Sequence, residues 1–201
     1  MNAFLGSRTI RSVFVLALGL APVAVGGCSE PTPATPRVVF ESTLGGGTGQ
    51  SSCQITTANW FSIGNFGNPD NGIPSRPVES GQTEGQGTVT VDCKVAPEGS
   101  GFRVVASASN TGATGGTFTL NGLFTTEGEQ TDERAVFYRA DYGRFTQADC
   151  TVTYPEAATR ETPVASGRVW GDIVCNAVEN EDQDRICTAK AQFRFENCNQ
   201  N

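Results

Sequence analysis

The chain has 201 residues, of which 14 are Lys or Arg, 21 are Asp or Glu and none is His, so its formal net charge at pH 7 is −7. A negative protein repels nucleic acid and anionic lipid headgroups, which argues against both as partners. Without histidine the chain lacks Ser-His-Asp and Cys-His catalysis and His-ligated metal sites, so we expect no enzymatic activity, no metal and no cofactor.

The first 27 residues have the composition of a signal peptide. Arg8 and Arg11 form a positive N-terminal region, and the apolar run 13–25 is shorter than the roughly 20 residues that span a bilayer. Pro22 also disfavours a membrane helix. Two glycines follow, and small residues at this place suit a signal peptidase. We therefore predict that residues 1–27 are a cleaved signal peptide.

Cys28 closes the run Val-Gly-Gly-Cys at 25–28, which resembles the lipobox of bacterial lipoproteins. The resemblance implies a diacylglyceryl group on the Cys28 thiol, cleavage before this residue, and acylation of the new amine, for example with palmitate. Two or three acyl chains make a stable anchor, at about 0.8 kcal/mol per buried methylene. Ser29 follows the cysteine, and in Gram-negative lipoproteins a residue other than Asp there favours the outer membrane. The expected location is the outer membrane, lipid-anchored and either periplasmic or surface-exposed.

Residues 28–36 contain the lipidated cysteine and a stretch rich in Pro, Ser and Thr, which predicts an extended tether. Removal of the leader leaves 174 residues with 12 basic and 21 acidic side chains, a net charge of −9. Residues 37–201 are enough for one domain with a hydrophobic core.

From residue 37 onward, apolar and polar residues alternate with a period of two, the pattern of strands with one buried and one wet face. The clearest segments are 87–96, 102–109 and 186–196. Further strands are predicted at 38–42, 53–57, 116–124, 134–140, 150–154 and 167–177. The predicted fold class is all-β: a single antiparallel β-sandwich, or alternatively a β-barrel, braced by disulfides.

Six cysteines remain besides Cys28, and an even number in an exported chain indicates three disulfides. They are Cys53, Cys93, Cys150, Cys175, Cys187 and Cys198, and all but the first and last share the parity of the buried residues of their strands. Fifteen connectivities are possible. We expect Cys53–Cys93 between two early strands, Cys175–Cys187 across a hairpin, and Cys150–Cys198 by elimination. Cys187–Cys198 is disfavoured because a strand of that length spans about 36 Å, against the roughly 6 Å of a disulfide.

Three residues are candidates for ligand binding. Trp60 precedes the turn-rich loop 62–72, which contains Asp70, and aromatic side chains beside Asn and Asp are typical of sugar- or calcium-binding loops. The alternative is a core tryptophan beside a long turn. Trp170 shares the outward face of its strand with Asp172, which suggests a small binding patch or an ordinary strand-edge feature. Trp60, Asp70 and Trp170 are therefore the candidate ligand-binding residues.

Two acidic features are candidates for calcium binding and for glycoside hydrolysis. The segment 179–184 is compact and acidic, but its spacing does not match an EF-hand loop and it lacks the required glycine, which favours a solvated hairpin tip. Paired carboxylates can hydrolyse glycosides, and Asp141, Asp149 and Asp172 lie near aromatic residues. Nothing in the sequence singles out a catalytic pair among them.

The Val-Trp-Gly at 169–171 and the segment 193–198 resemble uncharacterised lipoproteins of myxobacteria, a group without an assigned chemistry. The predicted function is that of a membrane-anchored cell-envelope lipoprotein, a non-enzymatic binding or structural module. The alternative is a carbohydrate- or calcium-dependent ligand-binding module. The expected partners are the membrane, through the lipid, and an unknown protein or glycan.

Overall fold

A computed structural model describes residues 33–46, 52–56, 59–155 and 162–201. The chain divides into two units, Met1–Thr32 and Pro33–Asn201, and all the described residues belong to the second. The predicted signal peptide, Cys28 and the tether up to residue 32 lie outside the described residues. Within the described ranges no helix is long and apolar enough to cross a membrane.

The all-β prediction is confirmed, because strands make up most of the described chain. They are β1 (Arg37–Gly45), β2 (Ser62–Ile63), β3 (Val78–Glu79), β4 (Thr83–Glu84), β5 (Gly87–Glu98), β6 (Gly101–Asn110), β7 (Thr117–Phe124), β8 (Gln130–Arg139), β9 (Gly143–Thr153), β10 (Val164–Ala165), β11 (Arg168–Asn180) and β12 (Arg185–Glu196). Single turns of 3-10 helix occur at Pro69–Asn71 and Glu181–Gln183.

One antiparallel sheet contains all these strands, in the order β2-β1-β12-β11-β9-β8-β7-β6-β5-β4, with β10 paired to β11 and β3 paired to β1. The sheet curls until its two edges nearly meet, so of the two predicted forms the structure resembles the closed one. We call the end where β1 begins and β12 finishes the near end, and the opposite end the far end. The predicted tether joins the sheet at the near end, through Pro36.

The two edges of the sheet meet along a seam between β1 and β5. The turn from β3 to β4 bridges the seam from the near end of β1 to the first residues of β5, because Gly81 donates to the Val89 carbonyl and Val89 donates to the Gln82 carbonyl, both at 2.8 Å. In the far half of the seam β2 and β4 face each other without pairing. The sheet therefore closes at one end of the seam and stays open at the other.

The inward-facing side chains form a core dominated by phenylalanine. Phe118 lies at its centre, with ring centroids 4.6 Å from Phe40 and 5.3 Å from Phe137. Phe193 and Phe195 of β12 lie within 6.5 Å of the same ring. Burial of each such side chain contributes about 1.5–3 kcal/mol. The alternation in the sequence thus translates directly into one apolar inner face.

One predicted strand is wrong. Residues 53–56 form no strand, and residue 57 lies outside the described residues. Cys53 and Ile55 are buried, as an alternating segment requires, but the intervening Gln54 has a left-handed backbone (φ +52°) that a strand does not accommodate. Residues 53–56 therefore alternate in burial but pair with no neighbouring strand.

The six predicted disulfide cysteines all form disulfides, but in different pairs: Cys53–Cys187, Cys93–Cys198 and Cys150–Cys175. The expected pairs Cys53–Cys93, Cys175–Cys187 and Cys150–Cys198 are wrong. The inward parity of the four strand cysteines is confirmed, since each is 1% exposed or less.

The order of the strands explains the observed pairs. The register of β11 against β12 sets Cys175 opposite Ala189, two residues away from Cys187, and β9 on its other side brings Cys150 into reach. After β12 the chain crosses to β5, where Asn199 donates to the Cys93 carbonyl at 2.9 Å and so carries Cys198 to its partner. These contacts depend on which strands are neighbours in the sheet, which spacing along the chain does not reveal.

Candidate functional site

The open far half of the seam forms a cavity of about 840 Å³, which we call the seam pocket. Its aromatic lining comes from Phe40, Trp60, Phe61 and Phe66, and its amide lining from Asn59, Asn65, Gln86 and Asn110. Glycines of the β4–β5 and β6–β7 turns expose main-chain atoms at the rim. Concave sites of this size, with apolar walls and a few polar groups, are typical of small-molecule binding.

Trp60 forms the back of the seam pocket and is held from two sides. Its backbone N–H donates to the Ser42 carbonyl at 2.8 Å, which ties the segment to β1. The indole ring packs against Tyr142 at 5.3 Å and against the edge of Phe145 at 5.7 Å, and it is 1% exposed. The alternative interpretation of Trp60 as a core residue is therefore the correct one, and the ring is no exposed platform for a sugar.

Arg139 lines the same cavity but brings little free charge to it. Its guanidinium donates to both carboxylate oxygens of Asp141, at 3.1 and 2.7 Å, and to the Trp60 carbonyl at 2.8 Å. It also stacks over the rings of Trp60 and Tyr142, at 5.2 and 5.1 Å. A cation with this many partners positions the pocket wall and has little attraction left for an anionic ligand.

Glu84 of β4 connects the two edges of the seam. Both of its carboxylate oxygens lie 2.9 Å from the Gly64 nitrogen, and Arg76 donates to one of them at 3.3 Å. The Glu84 carbonyl accepts from the Asn110 amide at 3.3 Å. Its negative charge is thus engaged by partners from the opposite edge of the sheet.

Residues 64–76 form a hairpin that leaves the sheet between β2 and β3, which we call the excursion hairpin. Asn65 and Arg76 exchange backbone hydrogen bonds of 3.2 and 2.7 Å, and Asn68 and Ile73 exchange bonds of 2.8 and 2.9 Å. Gly64 has φ +71°, and a β-carbon there would lie 2.5 Å from the Arg76 carbonyl oxygen. Glycine is required at this position for both reasons.

A second cavity of about 510 Å³, the outer groove, lies between the excursion hairpin and the outer face of β11 and β12. Trp170 and Arg194 form its floor, with the guanidinium 4.9 Å from the ring centroid. Phe66 and Ile73 of the hairpin and Pro155 form its walls. Trp170 faces outward and is half-buried, as its parity predicted.

The three predicted ligand-binding residues do not converge on one site. Trp60 backs the seam pocket and Trp170 lies in the outer groove. Asp70 is exposed at the tip of the excursion hairpin and lines neither cavity. The hairpin separates the two cavities, and its residues Phe66 and Gly67 line both.

The acidic candidates are each accounted for separately. Asp141 pairs with Arg139, Asp149 accepts from the Gln147 amide at 2.9 Å, and burial raises the pKa of Asp172 against a hydrogen bond from Gln192 that lowers it. Within the part of the chain that the structure describes, no group of three or more acidic or cysteine side chains is placed to hold a metal ion.

The acidic segment 179–184 forms the turn between β11 and β12, as a hairpin tip should. Asn180 begins its 3-10 turn by accepting from the Gln183 N–H at 3.2 Å and donates its amide to the Tyr142 carbonyl at 3.0 Å. The buried residue here is an asparagine, while the acidic side chains of Asp182 and Asp184 are exposed. Such a tip is a solvated turn rather than a cation site.

Sequence reasoning missed Glu133, a buried acid on the inner face of β8. It is 1% exposed, and its Oε2 atom finds no hydrogen-bond partner among the described residues. Register shifts on both sides and the left-handed backbone of Asp132 (φ +67°) turn it inward, over Gly122. Its shared parity with Ala135 and Phe137 was the available signal.

Comparison of the chain with protein-family models, with curated proteins and with solved structures finds no match.

Proposed function

We propose that this protein is a non-catalytic binding module of the cell envelope, anchored in the outer membrane through lipids on Cys28, and that its ligand occupies the seam pocket. The observation that carries the proposal is the pocket itself: about 840 Å³ of space at the place where the sheet does not close. A purely structural module has no need of such a cavity.

The direction of the pocket supports the anchored arrangement. The tether enters the sheet at the near end, where Ser80 donates to the Pro36 carbonyl at 2.9 Å and Asn197 donates to the Thr35 carbonyl at 3.0 Å. The rim glycines of the seam pocket lie in turns at the far end. The rim of the seam pocket therefore lies at the end of the sheet opposite to the point where the predicted tether joins the domain.

The lining favours a neutral, hydroxyl-rich ligand such as a saccharide. Arg139 is neutralised by Asp141 and Glu84 is engaged by Gly64 and Arg76, while the exposed carboxylate of Glu41 also lines the pocket and would repel an anionic ligand. Exposed amides at Asn59 and Gln86 offer donors and acceptors beside aromatic walls. Such amides bind sugar hydroxyls, and the partly exposed ring of Phe66 offers an aromatic surface for a sugar ring. Within the described ranges no group of three acidic or cysteine side chains is placed to hold a metal ion, and a chelator tests whether the proposed binding needs calcium.

A glycan array probed with the Cys28→Ser protein tests this function. We expect binding to at least one class of neutral glycan, unchanged by a calcium chelator. Ala113→Trp should fill the mouth of the pocket from the β6–β7 turn and weaken that binding at least tenfold. Ser100→Trp is the matched control, since it adds the same side chain to an exposed turn at the near end.

Two array results would count against the proposal. One is the absence of binding to every glycan by the unaltered pocket. The other is equal loss of binding in Ala113→Trp and Ser100→Trp, which would show that added bulk anywhere disturbs the protein.

A further inference from the structure

The excursion hairpin continues from β2 and into β3, which pair with β1, and a single side chain hydrogen-bonds it to the other edge of the described sheet. Its hydrogen bonds either stay within residues 64–76 or go to Glu84, which accepts from Gly64 with both oxygens and from Arg76. Glu84 belongs to β4, on the far side of the seam. One carboxylate therefore holds a 13-residue segment across the mouth of the seam pocket.

The hairpin has empty space on both faces. The seam pocket lies on one side and the outer groove on the other, and Phe66 lines both cavities. Well-packed elements leave few voids larger than a water molecule, whereas these cavities are about 840 and 510 Å³. The hairpin is therefore bordered by open space on two sides, which leaves room for it to move.

The groove side of the hairpin is suited to a second docked position. Ile73 is 53% exposed and lines the outer groove with Pro74, opposite the half-buried ring of Trp170. Movement of the hairpin into the groove would bury these apolar surfaces, at about 25 cal/mol per Å². The free energy gained by this burial offsets part of the free energy lost when the charge-assisted hydrogen bonds to Glu84 break. A segment that alternates between two positions needs such a balance.

We propose that the excursion hairpin is a lid on the seam pocket, latched closed by Glu84 and opening by movement into the outer groove onto Trp170. This regulation rests on the proposed function for its purpose, because a lid matters only where a ligand enters. The lid itself is tested without any ligand, so its failure and the failure of glycan binding are distinguishable.

Hydrogen–deuterium exchange of the Cys28→Ser protein tests the latch. Glu84→Ala should raise amide exchange across residues 64–76 about tenfold and leave β12 unchanged. Arg76→Gln removes one bond from a largely exposed side chain and should give a smaller increase in the same segment. Glu41→Ala is the matched control, because Glu41 is an exposed carboxylate that lines the same pocket, and it should change nothing.

Acrylamide quenching of tryptophan fluorescence tests the open position. Trp60 is buried, so quenching reports mainly on Trp170. If the released hairpin covers the groove, Glu84→Ala should reduce quenching. Unchanged exchange of 64–76 in both Glu84→Ala and Arg76→Gln, or greater quenching on release, would overturn the proposal. A rise in exchange throughout the sheet would overturn it as well, because Glu84 would then be holding the fold rather than the lid.

Discussion

Glu133 shows how one residue links the fold to pH. Burial raises the pKa of the Glu133 carboxyl from 4.5 to about 7, an effect that the charge of Arg103 opposes and that of Asp132 reinforces. The folded protein then binds this proton more tightly than the unfolded chain does. The free energy of unfolding therefore falls as pH rises from about 4.5 to about 7, and the loss is complete above that range.

Glu133→Gln should remove this pH dependence, because glutamine keeps the shape of the side chain and does not ionise. We expect the variant to gain stability relative to the parent as pH rises through that window, by at most about 3 kcal/mol. Urea unfolding at several pH values measures the difference. Glu129→Gln, at an exposed position in the preceding turn, is the control and should show no such gain. A constant difference between Glu133→Gln and the parent at every pH would contradict the assignment.

At the scale of strands, the sequence predicts best where one face is buried without interruption. β5 and β12 alternate along most of their length, and they appear within two residues of the predicted bounds. β9 begins seven residues before the predicted 150, because the first half of the strand has mixed burial and no clear period. Alternation of apolar and polar residues reports the burial of one face, not the pairing of strands. The prediction of a strand therefore fails where strands pair without alternating burial, and also where burial alternates without pairing, as around Gln54.

The disulfides depend on sheet order, which local patterns do not contain. Cys93 meets Cys198 because the chain after β12 crosses to β5, and nothing in the C-terminal segment announces that crossing. Cys53 meets Cys187 because β1 and β12 are neighbours, with Gly45 opposite Thr188 at the far end. The inward direction of these cysteines was predictable, while their partners were not.

The Cys53–Cys187 disulfide should stabilise the fold more than Cys150–Cys175 does. The two bonds span 134 and 25 residues of sequence, but Cys93–Cys198 shortens the path that the first bond closes to residues 53–93 and 187–198, roughly 50 residues. Loop entropy then gives about 4 and about 3.5 kcal/mol, respectively. Guanidinium unfolding of Cys53→Ala/Cys187→Ala and of Cys150→Ala/Cys175→Ala should differ by about 0.5 kcal/mol in that direction. The reverse order of stability would contradict this account.

The Cys53–Cys187 bond also fixes the segment that leads to the seam pocket. Cys53 and Trp60 belong to the connection between β1 and β2, which the disulfide ties to β12. Loss of this bond should therefore accelerate amide exchange at Trp60, whereas loss of Cys150–Cys175 should not.

At the scale of the whole molecule, the candidate site is a place where pairing is missing. The seam pocket exists because β2 and β4 end on opposite sides of a gap. The sequence shows Trp60 only as an aromatic residue beside a turn-rich loop. Its position at the gap depends on how the sheet closes. The sequence therefore pointed to a residue behind the pocket without revealing the pocket.

The proposed lipid anchor concerns the whole chain and has its own test. Cys28→Ser should move the protein from the detergent-soluble membrane fraction to the soluble fraction, because no thiol remains to carry the diacylglyceryl group. Ser29→Ala is the control and should stay in the membrane fraction. Equal partitioning of the Cys28→Ser protein and the parent would contradict the lipid anchor.

The location of a bound ligand tests the central claim most directly. Gly112 and Gly115 line the seam pocket, and their backbone amide signals in a ¹H–¹⁵N spectrum of the Cys28→Ser protein report on its occupancy. Titration with the neutral saccharides of the array should shift these signals most, while signals of Val105 and Leu123, on the outer face of β6 and β7, stay in place. If the signals of Gly112 and Gly115 remain unmoved at millimolar saccharide, or if the largest shifts fall on that outer face, the seam pocket is not the binding site.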